Sequence, residues 1–151
     1  MTVSQIHAAV VAAYREALAG SEFEDIKITP IDRETEDIVR GTAETEYEAS
    51  YSRECGMRVM TVNEDLYYYA ESAKNWKLEC NRFQTLIEER LLYGIDEADV
   101  EITDIICETG GGALHISFSI TRYDVIGYED QQTKDAEEME TLTANYQIDT
   151  P

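Results

Sequence analysis

Two histidines, three cysteines and a run of three glycines are the residues whose type and spacing could announce chemistry in this chain. Histidine is the usual acid–base side chain near neutral pH. His7 lies beside the apolar stripe of a helical segment and is expected to cover the core rather than catalyse. His115 falls on the polar side of an alternating segment, where a hairpin would bring it near Cys107 like a Cys–His dyad. Any hairpin produces such proximity, so no catalytic role follows. Cys55, Cys80 and Cys107 are odd in number and lack a CxxC pair, which predicts free thiols in a reducing compartment instead of a zinc site or a disulfide framework. A phosphate loop needs its glycines between a strand and a helix, followed by Lys-Ser or Lys-Thr. Gly110, Gly111 and Gly112 join two alternating segments and no Lys follows, so they read as a turn. No calcium-loop or H-E-x-x-H pattern is present, and carboxylates are too numerous for one acid–base pair to stand out. The expectation is a protein with no enzymatic activity, no cofactor and no metal.

Charge is the unusual quantity. Thirty-two acidic residues face 12 basic ones, for a formal net charge of −20. Gripping a nucleic-acid backbone or an anionic membrane takes clustered Lys and Arg, so tight nucleic-acid and membrane binding are both disfavoured. Two acidic roles remain beside simple solubility: mimicking DNA to occupy a basic partner, or lining a passage through which DNA must slide without sticking. Hydrophobic residues make up 43% of the 151, enough for one self-sufficient core. The N-terminal segment lacks a basic leader region and Arg15 and Glu16 interrupt it, and no stretch approaches the length of a membrane span. A soluble, cytoplasmic protein is expected.

The elements that must position these residues follow from periodicity. Thr2 and Gln5 have capping-box spacing, and Ile6, Val10, Ala13, Ala17 and Leu18 recur at helical intervals up to Gly20. Ile26 and Ile28 alternate with Lys27 and Thr29 before Pro30, giving a short strand at an edge or loop. Residues 42–52 have period two: Ala43, Thr45, Tyr47, Ala49 and Tyr51 share one face, with Glu44, Glu46 and Glu48 on the other. These three glutamates are the candidate lumen-facing or partner-facing residues. Residues 57–62 can return as the paired strand. From Asn63, read as an N-cap, the positions Leu66, Tyr69, Ala73, Trp76, Cys80, Phe83, Ile87 and Leu91 predict a long central helix closed by Gly94, with residues 73–75 as the place where it would break. A final strand pair follows: Val100, Ile102 and Ile106 face one way, and Leu114, Ile116, Phe118 and Ile120 line one side beyond the glycines. Tyr67, Tyr68, Tyr128 and Tyr146 are candidate interface residues, because a helix cannot bury the whole triplet of residues 67–69 and exposed Tyr is common at protein contacts. The expected fold is α+β: an N-terminal helix and a long central helix packed on a mainly antiparallel sheet with two hairpins. Residues 1–126 would form the domain and residues 127–151 an acidic C-terminal extension.

This order of elements, with the Gly-small-Leu-His-apolar-x-apolar-x-apolar run from Gly112 to Ile120, resembles the small α+β tail-terminator or tail-completion proteins of tailed phages and related contractile particles. The likeness covers roughly residues 3–125, and the acidic extension departs from it. It implies a homo-oligomeric ring, commonly hexameric, that caps the tail tube, stops its polymerisation and joins it to neck proteins, located in the cytoplasm of the producing cell and in the particle. The alternative expectation is an acidic DNA mimic that inhibits a nuclease or a CRISPR or restriction complex.

Overall fold

The computed structural model describes residues 2–31, 38–95 and 100–125. The C-terminal extension, with Tyr128 and Tyr146, lies outside the described residues. The fold is α+β, with two helices and a five-stranded, mostly antiparallel sheet among the described residues.

Helix α1 spans Val3–Leu18 and opens with the capping box expected from its sequence: the Thr2 hydroxyl accepts from the Gln5 amide, and the Gln5 side chain accepts from the Thr2 amide. Its buried stripe is Ile6, Val10, Ala13, Tyr14 and Leu18. Strand β1, Lys27–Pro30, is a short edge strand where a Pro without an amide hydrogen costs no ladder bond. It pairs in parallel with β2, Thr42–Glu54, which pairs antiparallel along its whole length with β3, Met57–Tyr69. Helix α2, Trp76–Leu92, leads to β4, Val100–Gly110, and then β5, Ala113–Val125. The sheet order is β1-β2-β3-β5-β4, so β5 sits between β3 and β4 and runs antiparallel to both. Hence β3 and β4 are parallel, and α2 is the crossover between them.

The long central helix is corrected. Asn63, Glu64 and Asp65 look like an N-cap followed by an acidic first turn, yet they sit in the middle of β3, and α2 begins only at Trp76. Met60, Val62, Leu66 and Tyr68 have the period of two that a strand requires, and Glu64 interrupts it at a position with no exposed surface. A carboxylate in a core slot disguised the alternation. Within α2 the expected stripe of Cys80, Phe83, Ile87 and Leu91 is buried.

Both helices pack on one face of the sheet. The core between them joins Ile6, Val10, Tyr14 and Leu18 of α1, Cys80, Phe83 and Ile87 of α2, and Val62, Leu66, Leu114, Ile116, Phe118 and Ile120 from the strands. Phe23, between α1 and β1, meets Tyr68 and Phe83 edge-on.

Two-residue turns join the β2–β3 and β4–β5 hairpins. At Gly111 and Gly112, φ is 59° and 83°, the left-handed conformation at both central positions that defines a type I′ turn. Glycine meets that requirement without a side-chain clash, and the run serves geometry there. A second correction concerns β4. Simple alternation places Ile106 with Val100 and Ile102, but a bulge between Thr103 and Ile106 adds one residue, with Asp104 at φ 56°. Ile105 and Cys107 therefore pack against the core, and Ile106 is 54% exposed on the opposite face.

Candidate functional site

The face of the sheet away from the helices is built by the positions that alternate with the core. On β2 they are Thr42, Glu44, Glu46, Glu48, Ser50, Ser52 and Glu54, and the register sets them beside Tyr69, Tyr67, Asp65, Asn63, Thr61, Val59 and Met57 of β3. The next strand continues the rows with Ala113, His115, Ser117, Ser119, Thr121 and Tyr123 of β5, and β4 adds Glu101, Thr103, Ile106 and Glu108. Register thus gathers seven carboxylates on this surface: Glu44, Glu46, Glu48, Glu54, Asp65, Glu101 and Glu108. Among the described strand residues of the face, Lys27 on edge strand β1 is the sole Lys or Arg. The three candidate glutamates all lie here, as their alternation predicted. They are not equivalent: Glu46 and Glu48 are exposed, whereas Glu44 is only 8% exposed.

The centre of the face is a cross-strand cluster. His115 lies flat on Tyr67, ring centroids 4.4 Å apart and planes 6° from parallel, and its Nε2 is 2.7 Å from Asp65 Oδ1. Desolvation first, then the charges of Asp65 and Glu46, push the Tyr67 phenol above its ordinary pKa. One row along, the Ser119 hydroxyl donates to Asn63 Oδ1 at 2.7 Å. These bonds lock side chains on a pleated surface. What the surface can do is electrostatic: it repels polyanions and attracts cations within about one Debye length, roughly 8 Å at physiological salt.

Tyr68, proposed from sequence as an interface residue, is corrected. On a strand, Tyr67 and Tyr68 point to opposite faces, and Tyr68 is 2% exposed inside the core. Its ring stacks on Phe83 at 4.2 Å, and its hydroxyl donates to Glu79 Oε2 at 2.7 Å. The suggested meeting of Cys107 with His115 also fails. Register opposes Glu108 to His115 and Cys107 to Ile116, so thiol and imidazole occupy opposite faces. The Cys107 thiol donates instead to Glu88 Oε1 of α2 at 3.1 Å, and burial, followed by that bond, pushes its pKa up to about 12.

Sequence reasoning missed Glu64 altogether. It projects from β3 into the core, where His7 of α1 meets its carboxylate, Nδ1 lying 2.9 Å from Oε2 and 3.1 Å from Oε1. The imidazole stacks on Tyr47 of β2 at 4.3 Å, closing the carboxylate off from solvent. Burial raises the Glu64 pKa, and the His7 hydrogen bond and charge oppose the rise. The available signal was the Glu in the middle of the Met60–Val62–Leu66–Tyr68 alternation. His7 thus has a structural partner, in line with the core-covering role read from its position.

Among the described residues, no group of three or more His, Cys, Asp or Glu side chains could hold a metal ion. No helix among them is long and apolar enough to cross a membrane. Against known proteins, the sequence matches no protein-family model and no curated protein.

Proposed function

We propose that this chain is a non-enzymatic assembly protein of the tail-terminator kind: one subunit of a ring, hexameric in the family it resembles, that caps a tail tube and joins it to the neck. The observation that supports this reading is the one-sided sheet. Both helices cover one face, and the other carries seven carboxylates among Ser, Thr, Asn and Tyr side chains. A wall of this kind, turned toward a channel, holds off the phosphate backbone at contact range and leaves it free to slide. In this reading the protein works in the cytoplasm of the producing cell and in the particle, with the tail tube, the neck and further copies of itself as partners. Light scattering across a salt series tests it. A discrete ring-sized species, formed in solution or on added tail tubes as salt screens the repulsion between subunits, is the expected result. A monomer at every salt concentration that also ignores tubes would overturn it.

The second reading is a DNA mimic that occupies the basic cleft of a nuclease or a CRISPR or restriction complex. The exposed Glu46 and Glu48 favour it, since alternate residues of one strand repeat about every 6.6–6.8 Å and set like charges in a row. Tight, salt-sensitive binding of a monomer or dimer to such an enzyme, lost when Glu46, Glu48 and Glu101 become Gln, is the outcome that selects it over the ring.

A further inference from the structure

Among the described residues, Arg58 and Arg122 pair with Asp124, Arg82 pairs with Glu22, and Arg90 pairs with Glu16. Arg15, Lys27, Arg40, Arg53, Lys74 and Lys77 make no ion pair among these residues. Of these six, Arg40, Lys74 and Lys77 belong to one corner of the molecule, where the segment before β2, the end of β3, the Gly111–Gly112 turn and the start of α2 converge.

A cavity of about 310 Å3 opens at this corner, lined by Ile38, Arg40, Tyr69, Ser72, Trp76 and Gly112, among others. Its walls are fixed by hydrogen bonds independent of any occupant. The Gly41 amide donates to the Tyr69 carbonyl at 2.7 Å, and the Ala70 amide donates to the Gly112 carbonyl at 2.9 Å. The buried Glu79 carboxylate accepts from the amides of Glu71 at 2.6 Å and Ser72 at 3.1 Å, and so holds the β3–α2 connection against the first turns of α2. A site assembled in advance loses little ordering entropy on binding.

The lining specifies the chemistry of the occupant. The volume is at the lower end for small-molecule sites and suits one or two rings. Trp76 offers aromatic surface, and Ile38 and Ala73 add apolar contact. Arg40 supplies a planar donor fork that matches a carboxylate or a similar oxyanion. Lys74 and Lys77 flank the cavity in sequence, and the Lys77 ammonium lies 5.9 Å from the centroid of the Trp76 ring. Among the described residues, two carboxylates are near. Glu79 is committed to the amides just described, and the exposed Glu71 lies along Gly41. We propose that this cavity is a binding site for a small aromatic anion, its ring against Trp76 and its acidic group on the Arg40 guanidinium.

Trp76 is the single tryptophan of the chain, so its emission reports this cavity alone. The experiment titrates the full chain with 8-anilinonaphthalene-1-sulfonate, following quenching of Trp76 and the dye's own emission, and then adds phenylacetate or its neutral amide, phenylacetamide, as competitor. Expected are saturable quenching, displacement by phenylacetate but not by phenylacetamide, and affinity about tenfold or more weaker in Arg40→Glu and Arg40→Ala, as loss of a charge-assisted pair requires. Arg40 is exposed, so these variants should fold, and far-ultraviolet circular dichroism checks that they do. No saturable quenching, equal competition by acid and amide, or unchanged affinity in both Arg40 variants would each overturn the proposal.

Discussion

His7 Nδ1 lies 2.9 Å from Glu64 Oε2, joining the first helix of the chain to the centre of its sheet. The carboxylate has no exposed surface, while the imidazole keeps 17% of its own. A buried charge is tolerable only when its partner is present. His7→Ala is therefore expected to destabilise the fold by about 2–3 kcal/mol near pH 8. Urea denaturation of the two proteins measures it, and the double variant His7→Ala, Glu64→Leu should recover much of the loss.

The same pair sets a pH dependence whose sign follows from the raised Glu64 pKa. A carboxyl group that binds its proton more tightly in the folded than in the unfolded chain adds stability as pH falls through its folded value, and the gain is complete below the unfolded one. Above the folded value the ionised group works against folding. Glu64→Gln should remove this dependence, so its stability relative to wild type is expected to be greater at pH 8 than at pH 5. Asp124, held low first by Arg58, acts in the opposite sense and only at lower pH, where its loss of charge destabilises both proteins equally.

Asp104 holds the left-handed conformation of the β4 bulge, at φ 56°. That region costs most L residues about 1–2 kcal/mol and glycine little. Asp104→Gly is expected to leave stability unchanged or to raise it by up to about 1 kcal/mol, whereas Asp104→Val should lower it by about 1–2 kcal/mol. Thermal melts of the two variants distinguish these outcomes. A loss in both would mean that the Asp side chain itself holds the bulge.

The three thiols should separate by reactivity. Cys55 is exposed at a turn, Cys80 is fully buried with its pKa pushed up to about 11 by burial, and Cys107 bonds to Glu88. Thiolate is the reactive form, so iodoacetamide at pH 8 is expected to label Cys55 alone in the native protein and all three in urea. Peptide mass spectrometry reads the result. Labelling of Cys107 at the rate of Cys55 would contradict the packing of β4 against α2.

The sequence determined whatever rests on local pattern. The capping box at Thr2, the stripe of α1, the edge position of Pro30, the opposed faces of residues 42–52 and the stripe from Cys80 to Leu91 all follow from periods of two or 3.6 and from cap chemistry. The three glutamates were legible as a polar face for the same reason. Tertiary structure decided the rest, because those features depend on contacts distant in sequence. Glu64 can occupy a core slot only because His7, 57 positions away, meets it there, and that single substitution in an apolar alternation made a strand look like the start of a helix. The bulge at Asp104, which turns Ile106 outward and Cys107 inward, changes the count by one residue and leaves no mark in composition. The gathering of Asp65, Tyr67 and His115 on one face, and of Arg40 and Trp76 around one cavity, depends on strand order and on where α2 begins. Periodicity says which side of an element is apolar; which elements lie side by side is set by the burial of those sides together.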